Sequence, residues 1–329
     1  MEKMGRSLGK SGITVSAMGL GCWAIGGPFR RGDAQVGWGE VDDAQSVAAI
    51  HRALDLGITF FDTADVYGAG HSERVLARAL GTRRKDVVIA TKFGNLFDEE
   101  SRTITGEDGS PDHVHAACDA SLKRLGTDYI DLYQFHLNGY DIQRAVDVRD
   151  ALDDLVRAGK IRAYAWSTGD PERAGVFADG GRCAAVQHQM NVFDDAPEMI
   201  RLCEMRNLAS INRGPLAMGL LTGKYSRKAE IPEDDLRGRK SPAWMTYFHE
   251  GMPNAELLGK LEQIRTLLTA DGRTLAQGAL GWLWARSSKT IPIPGFKTAA
   301  QVEENVGAFR CGPLAVDLFE EIERLMERR

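Results

Sequence analysis

Short runs of β-branched and aromatic residues alternate along this chain with longer stretches whose apolar positions recur at helical spacing, which predicts a βα rhythm. The helical stretches are 42–56, 72–80, 111–125 and 141–158. Each is followed by a glycine suited to a left-handed cap, at Gly57, Gly81, Gly126 and Gly159. Strands are expected to end at Asp62, Lys92, His136, Ser167, Gln187, Asn212 and Pro294, with MGLGCW near the start supplying an eighth. Eight strands joined by helices fit an α/β fold, an eight-stranded parallel (β/α)8 TIM barrel. SLGKSGITVS reads as an N-terminal β-hairpin plug, and VDLFEEIERLMER as an extra C-terminal helix. Nothing marks a domain boundary, so one domain over 1–329 is expected. The segment 222–253, rich in charge, proline and aromatics, is long enough to cover a site, though a tolerated surface insertion has the same composition.

The apolar runs break at polar residues where parallel barrels keep their chemistry. Asp62, Tyr67, Lys92 and His136 fall at or just beyond the ends of three successive strands, in GITFFDTADVYG, DVVIATKFG and YIDLYQFH. Taken singly, Asp62 reads as a turn carboxylate, Tyr67 as a packing residue, His136 as a satisfied strand-end histidine and Lys92 as a solvated charge. Together they make a proton-delivery unit. A tyrosine with a reference pKa of about 10 is a poor acid at neutral pH. A nearby ammonium favours the phenolate by roughly 1–3 units, so Lys92 would bring Tyr67 toward working range. Asp62 would keep a buried Lys92 charged, and His136 could donate to the oxygen that receives the proton. None of the four is the nucleophile in that scheme, so a hydride donor is implied.

Composition narrows the setting. At 43% hydrophobic and 26% charged the chain has globular averages, and no apolar run approaches the roughly 18 residues of a membrane span. A formal charge of -5 argues against nucleic acid as a partner. The five cysteines, Cys22, Cys118, Cys183, Cys203 and Cys311, show neither CxxC nor zinc spacing, which fits reduced thiols and no metal site. MEKMGRSLGKSG lacks the apolar core of a signal peptide, so a cytoplasmic location is expected.

On these motifs the chain resembles the aldo-keto reductase family, from GLGCWAIGG near the start to IPIPGFKTAAQVEEN near the end. DTADVYG, TK and QFH match the family's catalytic tetrad, while WAIGG and RGPLAMG look like bacterial-type members. The resemblance implies Tyr67 as general acid, Lys92 lowering its pKa, Asp62 paired with Lys92, and His136 orienting a small-molecule carbonyl substrate. It also implies NADPH/NADP+ lying across the C-terminal face without a Rossmann domain, and no G-x-G-x-x-G follows the first strand. Ser167 and Gln187 match the residues that bind the nicotinamide carboxamide, and Thr168 stands where many members have Asn. Arg213 stands where Tyr or Trp commonly stacks on the ring, and Gly214, Leu216, Gly219, Leu221 and Lys224 in RGPLAMGLLTGKY resemble the pyrophosphate loop. Gly295, Phe296 and Lys297 lead into a helix whose Gln301, Glu304 and Asn305 match the adenosine-binding face.

Lys297 at that helix start suits a 2′-phosphate, which favours NADPH over NADH, and Arg237 is placed to close over the phosphates. The charge of Arg213 beside a ring that becomes cationic on oxidation should favour NADPH over NADP+, and so the reductive direction. Trp23, assigned to the cofactor side, joins Trp38, Phe93, Phe97, Trp244 and Tyr247 as walls of an apolar-to-aromatic pocket. Two other readings stay open: a Schiff-base lyase using Lys92, and a nucleotide-binding regulatory module like the potassium-channel β subunits. Against the second, the chain starts almost directly at the hairpin. The family includes monomers and homo-oligomers alike, so assembly is left open.

Overall fold

Side chains alternate along a strand, so every second residue faces the barrel axis, and the eight strands of this chain carry that alternation in step. They are β1 (Leu20–Gly21), β2 (Phe60–Asp62), β3 (Val88–Phe93), β4 (Ile130–Phe135), β5 (Ile161–Ser167), β6 (Cys183–Gln189), β7 (Ala209–Arg213) and β8 (Thr290–Pro292). In this computed structural model, which describes residues 4–226, 231–233, 235–239, 241–242 and 244–328, each pairs in parallel with its neighbour in sequence. The ring closes where Gly19 N donates to Pro292 O and Gly21 N to Pro294 O, both at 3.0 Å, with Gly21 bridged to Gly295. A Cβ on Gly21 would lie 2.9 Å from the Ile293 carbonyl oxygen, so the closing strands approach as they do because this position has no side chain.

Phe60, Val88, Ala90, Leu132, Ala163, Ala165, Ala185, Ala209, Ile211 and Ile291 fill the lower barrel, and Leu8, Ile13 and Val15 of the hairpin Gly5–Ser7/Thr14–Ser16 pack into the same cluster from below. One inward step further up, the residues become Asp62, Lys92, Gln134 and Gln187, all buried. Outward residues such as Phe61, Ile89, Tyr133 and Trp166 pack against the surrounding helices.

Those helices are α1 (Asp43–Asp55), α2 (His71–Leu80), α3 (Pro111–Leu125), α4 (Ala145–Arg157), α5 (Pro171–Ala178), α6 (Pro197–Arg206), α7 (Ala255–Leu268), α8 (Leu275–Arg286), α9 (Ala299–Cys311) and α10 (Val316–Leu325). Gly57, Gly81, Gly126 and Gly159 all have the expected positive φ. The stretch 141–158 starts four residues late as a helix. The Asp141 carboxylate accepts from the backbone N–H groups of Gln143 and Arg144, and this local turn displaces the first helical residue to Ala145.

Two features lie outside the predicted pattern. The loops after β1 and β3 join in a four-stranded sheet of Ala34–Gln35, Arg30–Arg31, Thr103–Glu107 and Asn95–Asp98. Two of these strands are two residues long, too short to show a period. Within 222–253, of which 227–230, 234, 240 and 243 lie outside the described residues, Phe248–His249 pairs with Met252–Pro253 and Leu236 N donates to Gly37 O, docking the segment on the loop after β1. No described helix is long and apolar enough to cross a membrane.

If the Gly21 contact sets ring closure, Gly21→Val should cost about 1–3 kcal/mol through overpacking and lower the melting temperature by several degrees. A thermal melt matching that of the wild type would show that closure does not depend on this approach.

Candidate active site

The polar layer at the top of the barrel is organised by one ammonium group. Lys92 is fully buried, and its Nζ donates to Asp62 Oδ1 at 2.5 Å, to the Thr63 carbonyl at 2.8 Å and to Tyr67 Oη at 3.2 Å. An ammonium has three N–H bonds and no lone pair. All three are therefore used, and the phenolic proton of Tyr67 is directed away from Lys92. Asp62 Oδ2 accepts from Gln134 Nε2 at 2.8 Å and Gln187 Nε2 at 2.7 Å, so four barrel strands meet at this carboxylate and its partner. Burial pulls the Lys92 pKa down, but Asp62 and then Tyr67 more than offset it, and the group is held above its ordinary value.

Tyr67 departs from expectation. Burial pushes its pKa up, and although Lys92 pulls the other way, the net direction is upward, so the hydroxyl holds its proton firmly at neutral pH. His136 packs edge-on to the Tyr67 ring at 5.9 Å. Burial, reinforced by the charges of Lys92, Arg213 and Arg31, holds His136 well below the usual histidine range. It is therefore neutral. Its Nδ1 is buried with no partner among the described residues, and the tautomer that leaves no N–H unmet there carries its proton on Nε2.

Trp23 stacks on Tyr67 at 5.9 Å and meets Trp38 at 5.4 Å and Trp244 at 6.3 Å, which makes an aromatic wall on one side of the phenol. Phe97 packs partly buried near it. Phe93 does not line this wall: it is fully buried outside the barrel ring, stacked on Tyr133 at 4.4 Å. Its neighbour Lys92 faces inward, so alternation sends Phe93 outward. Tyr247 is buried and accepts from Asn191 Nδ2 at 2.7 Å.

The remaining sequence-predicted residues lie around the same end of the barrel. Ser167 pairs in register with Gln187, whose Nε2 is turned to Asp62, leaving Oε1 for any carboxamide contact. The Thr168 hydroxyl is committed to the loop after β4, donating to Asn138 O and accepting from Asp170 N, both at 3.2 Å. Arg213 ends β7, donates to Gln189 Oε1 at 3.1 Å, and its charge reaches both Tyr67 and His136. Beyond Gly214 and Leu216, residues Ala217, Met218 and Gly219 run consecutively at positive φ ahead of Leu221. Lys224 lies over the Tyr225 ring.

Arg237 adjoins this loop but is engaged, donating to both Asp235 oxygens, to Met218 O at 2.9 Å and to Tyr225 Oη at 2.6 Å, with Trp38 4.7 Å from its guanidinium. Gly295 bridges to Gly21, and Phe296 is buried in the core. Lys297 Nζ donates to Trp38 O at 2.6 Å, tying the start of α9 to the loop after β1. Gln301 forms a capping box with Thr298 and also accepts from Lys297 N at 2.7 Å, while Glu304 is exposed and Asn305 buried on the same helix.

These residues fit a dinucleotide. Lys224, Arg237 and Lys297 place three cations around the loop of consecutive positive φ, surroundings suited to a diphosphate. Among the described residues no cluster of His, Cys, Asp and Glu has the make-up of a metal site.

The sequence reading missed Gln134, whose signal was a polar residue at inward parity within an apolar run. It also missed a polar cavity of about 460 Å³ beside His136, lined among others by Arg31, Asn95, Glu107, Asn138 and Arg144. A larger open depression near Thr82, Arg84, Lys123 and Tyr129 lies at the opposite end of β4, away from this chemistry.

The chain matches the model of the Aldo/keto reductase family over residues 17–327. It is 34% identical over 308 residues to the Schizosaccharomyces pombe aldo-keto reductase yakc, whose name carries NADP(+), covering 90% of this chain and 84% of that protein. It is 31% identical to the aldo-keto reductase YhdN of Bacillus subtilis, covering 90% and 86%. Among solved structures, the glycerol dehydrogenase AKR11B4 from Gluconobacter oxydans superimposes with a TM-score of 0.83 at 29% identity, covering 100% of this chain and 96% of that one.

The buried pair yields a stability cycle. Lys92→Met leaves the Asp62 carboxylate buried without its cation and should cost about 3–5 kcal/mol. The double change Lys92→Met/Asp62→Leu removes both charges and should be less damaging than Lys92→Met alone. Urea unfolding of wild type, single and double variants measures this; costs that simply add would mean that the two charges do not compensate each other.

Proposed function

The chain belongs to the aldo/keto reductase family, and from that premise we propose that it reduces an aldehyde or ketone to an alcohol with NADPH, Tyr67 acting as general acid. The observation that carries this reading is the direction of the hydrogen bond between Lys92 and Tyr67. Because Lys92 donates to Oη and cannot accept, the phenolic proton points toward the space that His136 and Trp23 flank. A carbonyl oxygen there receives that proton, and neutral His136, with its proton on Nε2, donates a hydrogen bond that orients it. As Tyr67 gives up its proton, the adjacent ammonium stabilises the phenolate, while Asp62 keeps Lys92 in place and charged.

When bound, the reduced nicotinamide supplies the hydride. The proposed seat uses Ser167, Gln187 and Arg213 for the nicotinamide end, Gly214, Leu216, Gly219, Leu221 and Lys224 for the diphosphate, and Lys297, Gln301, Glu304 and Asn305 for the adenosine end. NADP is supported over NAD by the cation at the start of α9 and by the NADP(+) in the name of yakc. A cytoplasmic location and the handling of small molecules, with neither nucleic acid nor membrane as partner, belong to the same reading.

A Schiff-base role for Lys92 is the weaker reading. It needs a neutral, accessible amine. Here the amine is fully buried, held charged, and engaged through all three N–H bonds.

NADPH oxidation over an aldehyde panel tests the proposal. Tyr67→Phe should lower kcat by about 10²–10⁴-fold while NADPH binding persists; full activity in that variant would remove Tyr67 from the acid role. A second measurement addresses direction. Arg213→Tyr should reduce the preference for NADPH over NADP+ in dissociation constants, because it removes a positive charge whose influence reaches Tyr67 and His136; an unchanged ratio would sink the electrostatic account.

A further inference from the structure

We propose that Asn95, oriented by Arg31 and working with Glu107, selects carbonyl substrates that carry a neutral hydroxyl group. This inference rests on the reductase reading and adds the feature by which that site would choose among carbonyls.

The three residues come from the small sheet that joins the loops after β1 and β3, and they line the cavity that His136 also lines. Arg31 Nη2 donates to Asn95 Oδ1 at 2.7 Å, and Arg31 Nη1 donates to Glu107 Oε1 at 2.9 Å. A guanidinium carries donors only, so the amide atom facing it must be the oxygen, and the Asn95 NH₂ is turned the other way. Asn95 is only 7% exposed and lines the cavity, and with its oxygen held by Arg31 its NH₂ is the part of the amide left to meet a ligand there. Glu107, also at the cavity, keeps its second carboxylate oxygen as an acceptor.

A hydroxyl both accepts and donates, and it can meet the Asn95 amide and the Glu107 carboxylate together. A plain aldehyde would leave the amide unmet on desolvation, which is how sites built for a hydroxyl reject analogues lacking one. A carboxylate could accept from Asn95 but has no proton to give Glu107, and because the carboxylates of Glu107 and Asp141 are matched one for one by Arg31 and Arg144 the cavity offers it no net attraction. The influence of the Arg31 charge on His136 is consistent with the closeness of this triad to the reacting centre. On the other side of Tyr67, the wall of Trp23, Trp38 and Trp244 suits the C–H face of a short hydroxylated chain.

The test compares kcat/KM for NADPH-dependent reduction of glyceraldehyde, propanal and glyoxylate, with thermal melts to verify folding. Wild type should favour glyceraldehyde over propanal by about tenfold or more, and over glyoxylate as well. Asn95→Leu should bring the glyceraldehyde-to-propanal ratio close to one, and Arg31→Met, which frees the amide to rotate, should lower it in the same direction. Should Asn95→Leu fail to fold, Arg31→Met carries the test, because its side chain is about half exposed. Equal use of glyceraldehyde and propanal by wild type, a preference for glyoxylate, or a ratio unchanged in the variants overturns the proposal. If wild type reduces propanal, those failures touch the selector alone; if it reduces no aldehyde, the reductase reading falls and takes the selector with it.

Discussion

The Lys92 ammonium is the constraint on which the site depends. It sits fully buried, where an isolated charge would be untenable, and it persists because three acceptors from three directions take its three protons. Each acceptor is thereby fixed in turn. Asp62 is held where Gln134 and Gln187 reach it from β4 and β6, the Thr63 carbonyl pins the turn after β2, and Tyr67 is left with its own proton pointing outward. One ion pair therefore both ties the upper rim of the barrel together and sets the polarity of its most reactive hydroxyl.

The same period-two alternation that packs the lower barrel delivers these groups, and for that reason they were legible in the sequence. Phe60 and Asp62, Ala90 and Lys92, Leu132 and Gln134, and Ala185 and Gln187 are successive inward positions, apolar below and polar above. Parity also exposes two errors of reading. Phe93, adjacent to Lys92, had to face the helices and could not line the pocket, and Gln134 deserved notice on the same ground. The direction of the Tyr67 pKa was not legible, because it is a contest between burial and a charge, and the sequence shows the charge without the extent of burial. Nor could the sheet carrying Arg31 and Asn95 be read, since strands of two residues have no period and their pairing is across separate loops.

Around the proposed cofactor seat, sequence spacing identified a face and a loop but not what each side chain already does. Gln301 closes a capping box, Lys297 joins α9 to the Trp38 carbonyl, Arg237 neutralises Asp235, and Thr168 braces the loop after β4. These commitments hold the seat's shape, and they constrain what a ligand must do to bind. A phosphate approaching Lys297 meets an ammonium that already donates to the Trp38 carbonyl. One approaching Arg237 meets a guanidinium whose partner is a carboxylate, and must compete with it. Arg237, tied to Asp235, Met218 and Tyr225, serves first as a strut of this loop.

The loop after β7 shows the opposite arrangement, in which the fold accepts strain rather than relieving it. Ala217 and Met218 both have positive φ, a region that costs an L-residue roughly 1–2 kcal/mol, and Gly219 follows in the same region. Such a run persists only where its surroundings over-determine it. Here Ala217 N donates to Gly214 O at 3.0 Å, while Gly219 N and Leu221 N both donate to Leu216 O at 2.9 and 3.2 Å. Ala217, Met218, Leu220 and Leu221 are buried as well. With glycine at 217 and 218 the strain would vanish, but so would the side chains that anchor the turn, and the unfolded chain would gain freedom. Buried alanine and methionine trade local strain for a loop with one conformation, and a loop fixed in this way need not be ordered when a ligand binds against it.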